Sequence, residues 1–235
     1  RPGCYHVRSN MTYTSSWIEL QEPSRGRMKE LYEYFVFKRQ SDVWLSKAKE
    51  KLDFFNDANQ MLICAEDFDQ KTDQIAQYIK DYGFLSFHVQ RISQEKSELF
   101  DDISKCNYMS ICCSSTHNMM PYREWWEDQN ENNIVRDFWK TQVKIDSQIP
   151  YRCQPWVLET IIKQHLNSKS MIALFLLQDL TDLVQNLRNK NPNDERINNP
   201  SDPNHHWRYR YPFSINEMKN CQEFTLKVRD LAEKS

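Results

Sequence analysis

Glycine is almost absent from this chain. Only Gly3, Gly26 and Gly83 occur, where average usage of about 7% would give about sixteen. A glycine-rich phosphate cradle is thereby excluded. Turns fall to Asn, Asp and Ser, which crowd residues 186–204. No apolar run approaches the roughly 20 residues of a membrane span. The opening Arg1-Pro2-Gly3-Cys4 has neither an initiator Met nor the apolar core of a signal peptide, so the chain reads as a processed product or a partial piece. Neither sign of charge is in excess. A net charge of −2 leaves no basic field for nucleic acid or for an anionic membrane. There is no Cys-x-x-Cys pair, so a zinc site is not expected; no other metal and no cofactor are expected either. The seven cysteines, Cys4, Cys64, Cys106, Cys112, Cys113, Cys153 and Cys221, are odd in number and irregular in spacing. Several lie in apolar runs. They read as free thiols, mostly buried, in a reducing and therefore cytoplasmic setting.

What is present is an ordered pattern around one stretch, Met61-Leu62-Ile63-Cys64-Ala65-Glu66-Asp67. Four apolar residues run together and end in two acids. Such a run suits a strand buried on both faces, as in parallel sheets. Further strands are expected at 84–90, 108–113 and 171–177, the first three starting about 24 residues apart, which suits β-α-β crossovers. Residues 1–60 read as an irregular start followed by amphipathic helices. Residues 61–213 carry the four parallel strands with helical cover, and 214–235 a last helix. That helix opens on a capping box, Ser214-Ile215-Asn216-Glu217. Helices are also expected near 71–82, stopped by Gly83, and over 122–139, 154–166 and 178–188. Residues 189–211 form a long Pro- and Asn-rich loop, of the kind that is functional or disordered. The fold class is α/β. Four strands are half of an eight-stranded barrel, and their edges and core faces call for cover from outside these residues.

Three strand ends carry polar groups: Ala65-Glu66-Asp67, Val89-Gln90-Arg91 and Cys113-Ser114-Ser115-Thr116-His117-Asn118. Ligands of α/β folds bind at the carboxyl ends of the strands. Glu66 alone is as well explained as a solvated acid, and His117 alone as a structural hydrogen-bonding group. If the strands are parallel neighbours, however, Glu66, Arg91 and His117 meet at one rim. Trp125 and Trp126 follow closely. Flat aromatics beside hydrogen-bonding groups suit a polyhydroxylated ring. Helix packing is the competing explanation for that pair.

These segments resemble successive strands of the amylomaltase family, the 4-α-glucanotransferases or disproportionating enzymes of glycoside hydrolase family 77. The likeness runs through Ile63–Asp67, Leu85–Arg91, Ser114–His117, Pro155-Trp156-Val157-Leu158-Glu159 and Leu176–Leu180. It ends in Asn191-Pro192-Asn193-Asp194-Glu195-Arg196-Ile197-Asn198 and His206-Trp207-Arg208-Tyr209-Arg210. The resemblance implies the C-terminal half of a (β/α)₈ barrel. It implies transfer of α-1,4-linked glucosyl units of starch, maltose or maltooligosaccharides by a retaining mechanism. Such a mechanism uses two carboxylates about 5 Å apart. Glu66 stands where the family has its acid/base. His117, Arg91, Trp125 and Trp126 are the expected saccharide contacts.

Two departures bear on activity. The acid that follows Thr-His in the family, the transition-state stabiliser, is here Asn118, which carries no charge. The family's nucleophile belongs to an Arg-x-Asp motif on an earlier strand. No such motif stands before Glu66, and the missing N-terminal half of the barrel is the expected source of it. Without a nucleophile the covalent intermediate cannot form. Three readings follow: a glucanotransferase represented by part of its chain, a non-catalytic α-glucan-binding relative, or a structural remnant.

Overall fold

The structure, a computed structural model, describes Gly3 and residues 11–58, 60–67, 73–95, 97–204 and 207–233. These residues form two units, one from residues 11–61 with 73–78, the other from residues 62–67 with 79–233.

The first unit is helical, as the gaps of three and four between apolar residues require. α1 (Ser15–Glu19) opens on Thr14, whose hydroxyl accepts the Trp17 N–H at 3.3 Å. α2 (Ser24–Glu33) continues through a π-helical stretch, Tyr34–Arg39, into α3 (Gln40–Ala58). α3 leaves Val43, Trp44, Phe54 and Phe55 exposed. α4 (Asp73–Asp81) stops as expected. The Phe84 N–H closes back on the Ile79 carbonyl at 3.0 Å, and Gly83 sits at φ +67°, where a β-carbon would be strained.

The second unit is built on a parallel three-stranded sheet, β1 (Ser86–Val89), β2 (Ser110–Cys113) and β3 (Ile172–Leu174), in chain order. Phe87 lies opposite Ile111, and Val89, Cys113 and Leu174 share one row. Four strands were expected. The first, near 61–66, is a single parallel bridge between Cys64 and Leu85. The Ala65 N–H donates to the Leu85 carbonyl at 2.8 Å and the Leu85 N–H to the Ile63 carbonyl at 2.9 Å. The next rung would use the Phe87 N–H. Asp67 Oδ1 takes that donor instead, at 2.8 Å, so the ladder ends there. The other strands are shorter than their apolar runs. After Val89 the chain turns back, with the Ile92 N–H on the Val89 carbonyl at 2.8 Å.

Helices also break where apolar periodicity continues. The span 122–139 divides into α5 (Tyr122–Glu127), a 3₁₀ turn and α6 (Asn132–Phe138), which runs on into a π-helical turn, Trp139–Val143. The break falls at Asp128, whose ψ of 121° is extended. α7 (Pro155–Leu166) matches expectation, but the next helix is only α8 (Leu177–Thr181). The last helix has its capping box, Ser214 with Glu217, yet Cys221 at ψ 93° splits it into α9 (Ile215–Asn220) and α10 (Gln222–Glu233).

The main core lies among α5, α6 and α7, where Tyr122, Phe138, Leu158 and Ile161 are fully buried. A smaller cluster of Ile103, Cys106 and Cys112 packs with Ala173. Cys106, Cys112, Cys113 and Cys153 are buried free thiols, and Cys64 is free and exposed. Burial pushes the Cys113 thiol up to about 12. Cys4 lies outside the described residues. Leu62 and Leu174 stay about half exposed, at 50% and 47%. Among the described residues no helix is long and apolar enough to cross a membrane. Nor does any group of three or more His, Cys, Asp or Glu side chains form a place for a metal ion.

Candidate functional site

A cleft of about 520 Å³ opens at the carboxyl ends of the strands. Side chains spaced by two along the strands line it: Phe87, then Ile111, Cys113 and Ser115, then Leu174 and Leu176. This is the period of a strand, one face of the sheet. Glu66 and His117 line the same cleft, together with Cys64, Ala65, Thr116 and Phe175. The acid from the first strand end and the imidazole from the third are thus brought together. Their neighbour Asp67 plays a different part: it is buried and bound to the β1 backbone, while Glu66 remains exposed.

Arg91 stands behind this surface. Its Nη2 donates to Ser115 Oγ at 2.7 Å and also to the Met120 carbonyl. The guanidinium carbon lies 4.7 Å from the Tyr122 ring centre and 5.0 Å from that of Trp125. Burial lowers its pKa, with nearby Tyr122 and Asp179 acting the other way. Arg91 therefore braces both ends of the turn that presents His117 and Asn118.

His117 and Asn118 are exposed, and each meets the distant irregular segment. The His117 ring lies 4.7 Å from that of Trp207, tilted by 41°. Asn118 Oδ1 accepts a hydrogen bond from Asn198 Nδ2 at 2.8 Å. Trp207 is 60% exposed, so an aromatic surface stands at the rim after all. Trp125 and Trp126 do not supply it. Both are packed in the core, Trp125 edge-on to Phe138 at 5.3 Å and Trp126 edge-on to Trp139 at 5.8 Å. The Trp126 indole N–H donates to the Pro150 carbonyl. Their indoles fill α5's contacts with its neighbours, so neither face is turned to the cleft. Sequence reading passed over Trp207 and Asn198 as single residues. The available signal was their place in a Pro- and Asn-rich segment too long to be a plain connection.

A buried polar layer fixes these segments to one another. Asp179 on α8 accepts the Ser114 hydroxyl at 2.8 Å and the Tyr122 N–H at 3.0 Å. Burial raises its pKa against those two bonds. Gln178 donates to the Glu195 carbonyl at 3.1 Å. Arg123 bonds Glu195 Oε1 at 2.8 Å and lies 3.3 Å from Asp182. Burial holds both Glu195 and Asp182 well above the usual carboxylate range, Asp182 further raised by the proximity of Glu195, with Arg123 opposing the rise in both. Glu124 is likewise pushed up to about 7 by burial, Arg196 and Arg91 opposing.

The sequence and the fold both have counterparts among known proteins. A family model described as 4-alpha-glucanotransferase matches residues 9–216. The rice (Oryza sativa subsp. japonica) 4-alpha-glucanotransferase DPE2 is 29% identical over 231 residues, which are 98% of this chain and 24% of the rice protein. The chain therefore spans about a quarter of that relative's length. Among solved structures, the amylomaltase from Streptococcus agalactiae in complex with acarbose superposes with a TM-score of 0.55 at 16% identity. It covers 72% of this chain and 31% of its own. The amylomaltase from Corynebacterium glutamicum gives 0.51 at 10% identity, over 73% and 28% of the two chains. At these identities the two structures speak for the fold, a parallel sheet with helices that matches part of an amylomaltase barrel. With the family model spanning most of its length, the chain belongs to the 4-alpha-glucanotransferase family, glycoside hydrolase family 77.

Proposed function

We propose that this chain supplies the acid/base part of a 4-α-glucanotransferase site that works on α-1,4-glucans by a retaining route. One observation carries the reading: Glu66 and His117 share a cleft at the carboxyl ends of parallel strands, in a chain of this family. Glu66 gives a proton to the departing glycosidic oxygen and takes one from the acceptor hydroxyl. Retention needs a second carboxylate about 5 Å away as nucleophile. No Arg-x-Asp segment precedes Glu66 in the 235 residues, so in this proposal the nucleophile is contributed from outside them. Asn118 occupies the stabiliser's place without its charge, which withholds several kcal/mol from the transition state. His117 and Trp207 offer a hydrogen-bonding edge and a ring face to a glucosyl unit. Arg91 contributes by holding Ser115 and the turn after it. Four buried free thiols fit a reducing, cytoplasmic setting.

General acid help alone is worth about 10²–10⁴-fold, against whole-enzyme accelerations of up to about 10¹⁷-fold. The chain incubated with maltotriose should therefore release no measurable glucose. Titration with acarbose or maltotriose, followed by NMR, should shift the His117 and Trp207 signals, with a Kd of roughly 1 mM. Robust glucose release would overturn this account and make Asp67 and Asp179 the first acids to replace. A second reading, a non-catalytic α-glucan-binding relative, is favoured by Asn118 alone. In that case Asn118→Asp, combined with a nucleophile-bearing half-barrel, leaves turnover at zero.

A further inference from the structure

Two consecutive residues of α5 face two consecutive residues of the irregular segment, with their charges crossed. Arg123 Nη2 donates to Glu195 Oε1 at 2.8 Å, and Glu124 Oε1 lies 3.7 Å from Arg196 Nη1. The first pair belongs to the buried layer with Asp182. The second leads to the rim. Arg196 Nε donates to the Asn198 carbonyl at 3.3 Å, and the Asn198 side chain meets Asn118.

Glu124 is an unusual choice for its place. The residue is 7% exposed, and its Oε2 is buried with no hydrogen-bond partner. Arg196, Arg91 and Asp128 are the charged groups around it. A buried carboxyl with one ion partner beyond hydrogen-bond length adds little to stability, and a neutral group of equal volume is often better there. Packing therefore gives no reason for an acid at this position. The direction of Arg196 does.

We infer that Glu124 is a positioning residue for the rim: through Arg196 it sets where Asn198 stands, and so orients the carboxamide of Asn118. This rests on the reading of position 118 as part of the glucan site. Glu124 touches no substrate. It acts on a residue that would.

The test is NMR of the labelled chain. Asn198→Ala fixes where the Asn118 carboxamide signals fall when their partner is gone. In Glu124→Gln, which keeps size and removes charge, those signals should move most of the way to the same positions. The urea midpoint should meanwhile hold or rise, an outcome a packing role would not give. Glu124→Met, of similar volume and without charge, should reproduce the shift, which keeps the question open to test if Glu124→Gln does not fold; Arg196→Gln also removes the bond to the Asn198 carbonyl and should shift the signals at least as far. Asn118 signals that stay at wild-type positions in a folded variant overturn the inference. So does a shift accompanied by a general loss of stability. Acarbose titration of the same samples reports on the glucan reading separately: an intact positioning effect with no acarbose binding would sink that reading and leave this one.

Discussion

Asn198 Nδ2 donates to Asn118 Oδ1 at 2.8 Å, joining the third strand end to the long irregular segment across 80 residues of sequence. Both side chains are neutral and the bond is exposed, so its net contribution is small, about 0.5–1 kcal/mol. Asn118→Ala and Asn198→Ala should each cost about that much. The double variant should cost no more than either alone, because the two residues have one bond to lose. Urea denaturation of the four proteins checks this. Fully additive losses would mean that the two side chains are coupled to other groups instead.

The buried layer beneath them is far more demanding. Arg123 serves both Asp182 and Glu195, and the side chains of those acids are 0% and 3% exposed. Removing the guanidinium leaves two carboxyls facing each other, with Arg188 3.7 Å from Asp182 and the Asn189 N–H on Glu195 Oε1. Burial holds both acids well above the usual carboxylate range, so the full penalty belongs to mild base. There Arg123→Ala should cost about 3–5 kcal/mol, the usual result of breaking a buried pair from one side. The loss should shrink as pH falls through neutral, where the two acids take up protons. A loss below about 1 kcal/mol in mild base would show that the cluster is solvated.

Much of this was legible in the sequence where the signal is local. The apolar spacing of Val157, Leu158, Ile161 and Ile162 marks α7, Ser214 with Glu217 marks the start of α9, and Gly83 marks a helix stop. Strand order led to Glu66, Arg91 and His117 at one rim; Glu66 and His117 do line one cleft, while Arg91 is turned to Ser115 and Met120 behind it. What escaped depends on side chains reaching other backbones. Asp67 intercepts the Phe87 N–H and cuts the first strand to one bridge. Arg123 finds Glu195 from 72 positions away, which turns α5 from a surface helix with a polar face into a buried one. No window of sequence contains both partners of such a contact. Trp125 and Trp126 were ambiguous for the same reason, since their burial depends on α6 and on the residues near Pro150.

His88 gives the molecule a definite pH response. Its Nδ1 lies 2.6 Å from Asp101 Oδ2, with the two side chains 13% and 16% exposed. Burial lowers the His88 pKa, but the hydrogen bond to Asp101 and the proximity of Cys106 outweigh it and raise it from 6.5 to about 9. A raised imidazole pKa stabilises the fold fully below its unfolded value of 6.5. The contribution is lost as pH rises through about 9. Up to about 3 kcal/mol should disappear over that interval. Asp101→Asn should abolish most of the dependence and lower stability at pH 6 more than at pH 10. Parallel stability–pH curves for the two proteins would rule the pair out as the cause.

The tryptophans separate folding from recognition most cleanly. Trp125 and Trp126 are 5% and 4% exposed, and Trp207 is 60% exposed. Truncating either of the first two removes a large buried ring, which typically costs about 3–5 kcal/mol. For Trp125 the loss also frees Arg91, whose guanidinium lies over that ring, so the turn carrying His117 should loosen as well. Trp207→Ala should leave stability within about 0.5 kcal/mol, the usual range for surface changes. It should nonetheless abolish the acarbose-induced shifts at His117, because the ring it removes is the one 4.7 Å from that imidazole. Trp125→Phe keeps an aromatic face for Arg91 and should retain both fold and binding. If Trp207→Ala binds acarbose as well as the wild type while Trp125→Phe does not, the saccharide contact belongs to α5 after all, and α5 must open to make it.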